Sequence, residues 1–437
     1  MHQSHTLKRK CQRKNLSNTV SLPPIIPRRV AVTGLGVVTP IGSTINAFWD
    51  SLVNGRGGID RITRIDASQF PAQIAGELKD FDPADYFSRK DARHMDPYCQ
   101  YAVGSGIQAV NDSGLNFDNI DPERAGVILG SGIGGLHSYE NQHEIFLKRG
   151  PKKISPFFIP MLIADIAAGH LSIQYNLQGP NYATTSACAT SAHAIGCAMK
   201  AIRYNDADII IAGGGEAPIT DMGLGGFCSL KALSTNNENP AKACRPFDLN
   251  RDGFIMSEGA GAVILEEMDH AVNRGATIYG ELAGVGFTGD AFHITAPRES
   301  GSGASRSMKI ALDDALIEPE DIDYINAHGT STQLNDQGET RAIKTTFGEH
   351  AHNVAISSTK SMHGHLLGAA GAVEVAATLL AMHNNIVPPT INYETEDPNC
   401  DLKYTPNEAH PRQINAAISN NFGFGGHNAS LVIKRYQ

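Results

Sequence analysis

From Arg29 onward the chain repeats one pattern, a short run of aliphatic and β-branched residues closed by glycine or a small polar residue and followed by an Ala-rich stretch. The runs are VAVTGLGVV, AGVILGSG, DIIIAGG, AVILEE, YINAHG, VAISS, NAAISNN and ASLVIKR. Their apolar residues are consecutive rather than alternate, as in strands covered on both faces. Strands alternating with helical stretches predict an α/β protein with largely buried sheets. The most apolar late stretch, Leu366 to Met382, is interrupted by Glu374 and padded with Ala and Gly, so it predicts a buried helix and not a membrane span. No repeat of solenoid period is visible.

A coarser duplication is expected. YATTSACATSAHAIGCAMKAI and VAISSTKSMHGHLLGAAGAVEVAATLLAM each run from a strand through a small polar turn into an Ala/Gly-rich helix. Two related halves, 29–275 and 276–437, would bring these turns together, and the small residues would let the two helices pack closely. Residues 1–28 carry Lys8, Arg9, Lys10, Arg13 and Lys14, no acid, and a terminal Pro23, Pro24, Pro27 run. They read as a disordered extension or, from the basic acid-free composition, an organellar transit segment.

Composition narrows the classes. The 437 residues are 41% hydrophobic and 19% charged, with 45 acids against 36 bases and a formal charge of −9. That balance suits a soluble globular chain and argues against general nucleic-acid binding or a membrane-embedded fold. The seven cysteines, at 11, 99, 188, 197, 228, 244 and 400, form no CxxC pair and no dense framework, which points to a reducing compartment.

Cys188 sits in TTSACATSA between a short strand and a helical stretch, which places its sulfur near a helix N-terminus, where thiolate is favoured over thiol. On spacing alone, however, a lone cysteine in an Ala-rich segment reads as a small buried residue. His193, five residues on, is rotated by about 140° along a helix and faces elsewhere. An assisting base must come from afar. NAHGTST offers His328, and SSTKSMHGHLLGAAGA offers Lys360 and His365. Neither His363/His365 nor His350/His352 has the adjoining carboxylate of a common zinc motif, so no metal is expected. GSGIGG, with Gly130, Gly132 and Gly135, satisfies G-x-G-x-x-G but lacks a partner acid about twenty residues on, and alone it is a weak dinucleotide signal.

Taken in order, SACATSAH, NAHGTST, STKSMHGHLLGAAGAVE and NNFGFGGHN resemble the β-ketoacyl-[acyl-carrier-protein] synthases, and among them the elongating type II condensing enzymes. The likeness runs from about Arg29 to the C-terminus. It implies a thiolase-like fold, two related α/β halves in a layered α-β-α-β-α core, and a homodimer working without cofactor or metal. It also implies decarboxylative Claisen condensation of a Cys-bound acyl group with malonyl-[acyl-carrier-protein]. Residue by residue, Cys188 matches the nucleophile, His328 and His365 the two histidines, and Lys360 the lysine. Glu374 matches a supporting glutamate. Phe424 matches a gating phenylalanine whose N–H joins that of Cys188 in an oxyanion hole. Ile133 falls at the acyl pocket near the dimer interface, and Thr330 and Thr332 on threonines that bind the phosphopantetheine arm, although loop hydroxyls equally cap turns.

Lys90, Arg93 and Lys231 match positions that dock the acidic carrier protein, while Arg89, Lys90 and Arg93 also read as a solvated helix face. Departures are His363 and His427, where threonine is more usual, and His94 in place of lysine. Related classes remain open: a polyketide or specialised-lipid ketosynthase on the same fold, or a catalytically silent partner subunit. Cys188 disfavours the last. The compartment expected is the cytoplasm, or an organelle matrix if residues 1–28 are a transit segment.

Overall fold

The computed structural model describes residues 27–436, so residues 1–26 of the segment 1–28 read as an extension or transit segment lie outside the described residues. Arg28, its last residue, is tied to the fold through Asp208 and the Ile202 carbonyl. Ten strands form one sheet: β1 (Val30–Val38), β2 (Ala125–Gly130), β3 (Asn181–Tyr182), β4 (Ile209–Glu216), β5 (Gly259–Glu267), β6 (Gly280–Gly289), β7 (Tyr324–Asn326), β8 (Ala355–Ser357), β9 (Ala416–Gly423) and β10 (His427–Lys434). Six helices cover it: α1 (Pro97–Ser113), α2 (Ile166–Tyr175), α3 (Thr190–Arg203), α4 (Ser302–Ala315), α5 (Gln333–Phe347) and α6 (Ala370–Asn384).

The strand order is β8-β7-β9-β10-β6-β1-β5-β4-β2-β3. Read outward from the central β6–β1 contact, both sides run first, fifth, fourth, second and third strand of their own half. Each half pairs its second strand in parallel with the third and fourth, and its fifth strand antiparallel to the first and fourth. The two first strands touch only at Ala31↔Glu281 and Val32↔Gly280.

Side chains of each strand divide between two cores. Ile210 and Ala212 pack with α3 and α6, whereas Ile209 and Ile211 pack outward with α1 and α2. In the second half Leu431 and Ile433 face inward, and Ile418 and Val432 face α4 and α5. The layers are therefore helix, strand, helix, strand, helix, with α3 and α6 in the middle. Consecutive apolar residues in the sequence have this cause.

One packing device appears in both halves. A Cβ at Gly36 would lie 1.9 Å from the Ser105 carbonyl oxygen on α1, and a Cβ at Gly286 1.9 Å from that of Ser307 on α4. Glycine in the first strand lets the covering helix lie on the sheet backbone. The two central helices are as close: a Cβ at Gly371 would meet Ala192 N at 2.7 Å, and Ala372 N–H donates to Ser191 Oγ at 3.0 Å.

Candidate active site

The middle layer places the chemistry. β3 leads through a single turn of 3-10 helix, Ala187–Ala189, into α3, and β8 leads by way of the short helix Lys360–His363 to a matching turn, Leu367–Ala369, into α6. Each 3-10 turn opens on a non-glycine residue in the left-handed region, Ala187 at φ 49° and Leu367 at φ 48°. Such backbone costs on the order of 1 kcal/mol and persists only where surrounding structure enforces it. Here Ser186 N–H donates to Thr190 Oγ1 at 2.9 Å and Thr184 Oγ1 to the Thr190 carbonyl at 2.9 Å, holding the first turn with Cys188 at its middle.

Cys188 is buried at 8% exposure, at the wall of a cavity of ≈ 550 Å³. His365 Nε2 lies 3.0 Å from its sulfur. Ligand atoms of Cys188, His328 and His365 all fall within 4.8 Å of one another, and the two imidazoles meet edge to face with centroids 5.3 Å apart. Lys360 Nζ is 3.3 Å from His328 Nδ1 and is ion-paired with Glu374, whose other oxygen accepts Asn421 Nδ2–H at 2.7 Å. The sulfur at 188, the imidazoles at 328 and 365 and the amine at 360 thus converge from far-separated parts of the chain.

Hydrogen bonding fixes both tautomers. Leu367 N–H donates to His365 Nδ1 at 3.3 Å, and an ammonium at Lys360 can only donate to His328 Nδ1. Both Nδ1 atoms are therefore acceptors, and each neutral ring carries its proton on Nε2. Burial, with Lys360 second, pushes both imidazoles well below their ordinary pKa, so they are neutral donors at pH 7. The same arrangement opposes a metal ion. Ligation through Nε2 would put the proton on Nδ1, facing another N–H at Leu367 and the Lys360 ammonium, whereas metal-bound histidine donates that proton to an acceptor.

The expected thiolate bias at Cys188 is outweighed. Lys360 and the N–H groups of Phe424 and Cys188 itself favour the anion, but burial, the largest influence, pushes the thiol up to about 12. The sulfur sits before the first turn of α3 and is buried, so the helix terminus does not decide its charge. At rest it is a thiol ringed by donors.

Phe424 lies in the β9–β10 turn and lines the cavity with Ile133, Thr330, Thr332 and Lys231. Thr330 and Thr332 hydroxyls are 3.0 Å apart, and Thr332 also caps α5. Lys90 and Arg93 are exposed on and beside the short helix Arg89–Ala92, outside the cavity wall, and His94 stacks on Phe157 with centroids 3.8 Å apart. His193 faces Ser186, Phe287 and His427, away from the sulfur, as the helical rotation required.

His363 and His427 do not line the cavity. His363 is buried beside Phe48, its Nδ1 donating to the Gly364 carbonyl at 2.8 Å and its Nε2 accepting from Thr359 Oγ1 at 3.1 Å. Burial drives its pKa down to about 3. Between that value and the ordinary 6.5, the unfolded chain takes up a proton that the folded chain refuses, so stability falls as pH falls. His363→Thr is expected to remove this term, making the loss of unfolding free energy from pH 7 to pH 5 smaller by about 2 kcal/mol. Urea titrations of both proteins at the two pH values measure it; equal losses would refute it.

Sequence reasoning missed three supporting groups. Glu339, on α5, accepts the N–H groups of His328 and Gly329, each at 2.8 Å, and so sets the His328 turn. Asn421 supports Glu374. Glu216, closing β4, accepts from Ser131 Oγ and from the N–H groups of Gly132, Ile133 and Gly368. An acid at the end of the otherwise apolar IIIAGGGE run was the one available signal. It also disposes of the dinucleotide reading, since the N–H groups of the GSGIGG loop are spent on this carboxylate.

Family models for the β-ketoacyl synthase N-terminal domain and the β-ketoacyl synthase C-terminal domain match residues 27–271 and 279–394. A 3-oxoacyl-[acyl-carrier-protein] synthase 2 of Coxiella burnetii is 51% identical over 408 residues, 93% of this chain and 99% of its own. One of Synechocystis is 50% identical over 410 residues, 94% and 99% of the two chains. Among solved structures, a β-ketoacyl synthase from Burkholderia phymatum superposes with TM-score 0.88 at 36% identity, covering 94% of this chain and 100% of its own. A chain from a complex of a type II PKS acyl-carrier protein with its ketosynthase bound to the hexaketide gives TM-score 0.86 at 36% identity over the same shares.

Proposed function

The chain belongs to the β-ketoacyl synthase family, and from that premise we propose that it is an elongating 3-oxoacyl-[acyl-carrier-protein] synthase, an acyltransferase that lengthens fatty acyl chains by two carbons. The observation that carries this reading is the meeting of Cys188 with two neutral imidazoles that both present Nε2–H to one cavity. Near-full-length identity of about half to 3-oxoacyl-[acyl-carrier-protein] synthases 2, against 36% to the polyketide ketosynthase chain, favours fatty acyl over polyketide substrates.

The chemistry follows from the donors. Cys188 Sγ attacks the carbonyl carbon of an acyl thioester on acyl carrier protein; the thiol proton passes to the departing phosphopantetheine sulfur. Cys188 and Phe424 N–H groups, already directed at the sulfur, hold the oxyanion of the tetrahedral intermediate. Malonyl-carrier protein then enters. Loss of CO₂ leaves an enolate whose thioester oxygen accepts Nε2–H from His328 and His365, and its carbon attacks the Cys188 thioester. Expulsion of Sγ, which takes up a proton from solvent to replace the one that left with the first carrier protein's sulfur, releases the 3-oxoacyl product. Lys360 holds the tautomer of His328, and Glu374 holds Lys360.

Thr330 and Thr332 at the cavity wall suit the phosphopantetheine arm, and Ile133 the acyl chain. The cations Lys90, Arg93 and Lys231 fit docking of an acidic carrier protein. A homodimer is supported by exposed Tyr139, Phe146, Ile159 and Ile163, near one another in sequence, and by exposed Tyr182 on edge strand β3. Unpaired cysteines, six among the described residues, fit the cytoplasm or an organelle matrix.

Incubation with acyl- and malonyl-carrier protein should give a 3-oxoacyl-carrier protein two carbons longer, read by mass spectrometry. In the same assay Lys90→Glu with Lys231→Glu should raise the KM for carrier protein about tenfold at low salt and leave kcat little changed. Absence of the lengthened product, or of any Cys188 adduct, would overturn the condensing function and favour a silent subunit; polyketide products only would favour the polyketide class.

A further inference from the structure

The GSGIGG loop and the LLGAAGA turn come from opposite halves of the molecule, and neither glycine run is explained by the catalytic groups themselves. Between them lies one buried carboxylate. Glu216 Oε1 accepts Ser131 Oγ–H at 2.8 Å and Ile133 N–H at 3.2 Å, while Oε2 accepts Gly132 N–H at 2.9 Å and Gly368 N–H at 3.0 Å. Its side chain is fully buried, yet it lines the cavity beside Cys188.

The glycines make room for it. A Cβ at Gly132 would stand 2.8 Å from Glu216 Oε2; a Cβ at Gly368 would stand 2.6 Å from the same oxygen and 2.5 Å from Gly132 N. Two loops therefore approach backbone to backbone, and without this acceptor their buried N–H groups would lose their partner. One loop carries Ile133 in the cavity wall. The other begins at His365, whose Nδ1 is held by Leu367 N–H, one residue before Gly368.

We propose that Glu216 is a positioning residue that clamps the Ile133 loop to the His365–Gly368 turn, so that the wall of the acyl pocket and the tautomer-fixed imidazole keep a single mutual register. This rests on the condensing function proposed above and adds to it a determinant of chain length. A long acyl chain held at Cys188 must run past Ile133 of one loop and Leu367 of the other, both in the cavity wall, so it needs both loops placed at once; a two-carbon acyl group needs only the cysteine side. Burial holds the Glu216 carboxyl up at about 7 despite its donors.

The test measures transfer of acetyl and palmitoyl groups from carrier protein to Cys188, by intact mass, in the wild-type enzyme, Glu216→Gln and Gly368→Ala. Gln keeps the volume but turns an NH₂ toward donors, and Ala drives a methyl into the clamp. The expected result is a fall of tenfold or more in palmitoyl transfer with less than threefold change for acetyl, in both variants, and partial recovery of palmitoyl transfer in Glu216→Asp. Equal losses for the two acyl groups, or none, would overturn the clamp. Should Glu216→Gln fail to fold, Gly368→Ala and Glu216→Asp carry the same comparison. Wild-type enzyme that accepts neither acyl group would instead overturn the condensing function.

Discussion

Cys188→Ala is expected to abolish condensation, lowering turnover on the order of 10⁴-fold or more, because Cys188 supplies the one thiol among the described residues that line the cavity with the two Nε2–H donors. Cys188→Ser should be nearly as inactive. A serine hydroxyl gives up its proton far less readily than even this raised thiol, and the imidazole 3.0 Å from the sulfur presents N–H rather than a lone pair that could take it, since Leu367 N–H already occupies Nδ1. The fold should tolerate both changes, at a loss of about 1 kcal/mol for the smaller side chain. Decarboxylation is a separate matter: His328, His365 and Lys360 remain, so release of CO₂ from malonyl-carrier protein should survive in Cys188→Ala without carbon–carbon bond formation. Intact-mass analysis and CO₂ release, measured on one preparation, check both halves. Retained condensation, or an acyl adduct on another residue, would displace Cys188 from its role.

The parts of this site that were legible in the sequence are those carried by local pattern. Strand-turn-helix order made Cys188, His328, Lys360 and His365 candidates, each on a turn of small residues after a buried strand. Their roles came from the resemblance of four ordered motifs, since on spacing alone Cys188 read as a small buried residue. The likeness of the two Ala/Gly-rich stretches anticipated α3 and α6 side by side, while their matching left-handed residues, Ala187 and Leu367, emerged only from the structure. Charge states were not legible. Helix position suggested an acidified thiol, yet burial, a property of the assembled layers, pushes it the other way. Glu339, Asn421 and Glu216 were missed for a related reason: each acts on groups outside its own element, 10 and 11 residues away for Glu339, 47 for Asn421 and 152 in the Gly368–Glu216 bond, and no periodicity encodes such partners. His363 shows the converse. It stands two residues from His365 in sequence, yet the turn between them directs it to Thr359 and Phe48 and out of the cavity.

Lys360→Met is expected to damage stability and activity together, and a second substitution should separate them. Lys360 and Glu374 are both fully buried, and among the described residues the ammonium is the only cation paired with that carboxylate. Removing it leaves Glu374 with Asn421 alone, and an unpaired buried charge of this kind costs about 3–5 kcal/mol. Burial already pushes the Glu374 carboxyl up, against the pull of Lys360; without the lysine it rises further. A carboxyl whose pKa is higher folded than unfolded binds its proton more tightly in the folded state, so its stabilising share is lost as pH climbs above the unfolded value near 4.5. The Lys360→Met defect should accordingly be mild at pH 5 and severe at pH 7.5 in thermal unfolding. Adding Glu374→Gln removes the orphaned charge and should restore most of the stability at pH 7.5. Activity should not return, because His328 Nδ1 then lacks the donor that keeps its proton on Nε2, and the enolate oxygen loses one of its two hydrogen bonds, worth about 10²-fold or more in turnover. A single variant as stable as the double at pH 7.5 would show that Lys360 does not compensate Glu374, and a double variant with wild-type turnover would show that it does not fix the imidazole.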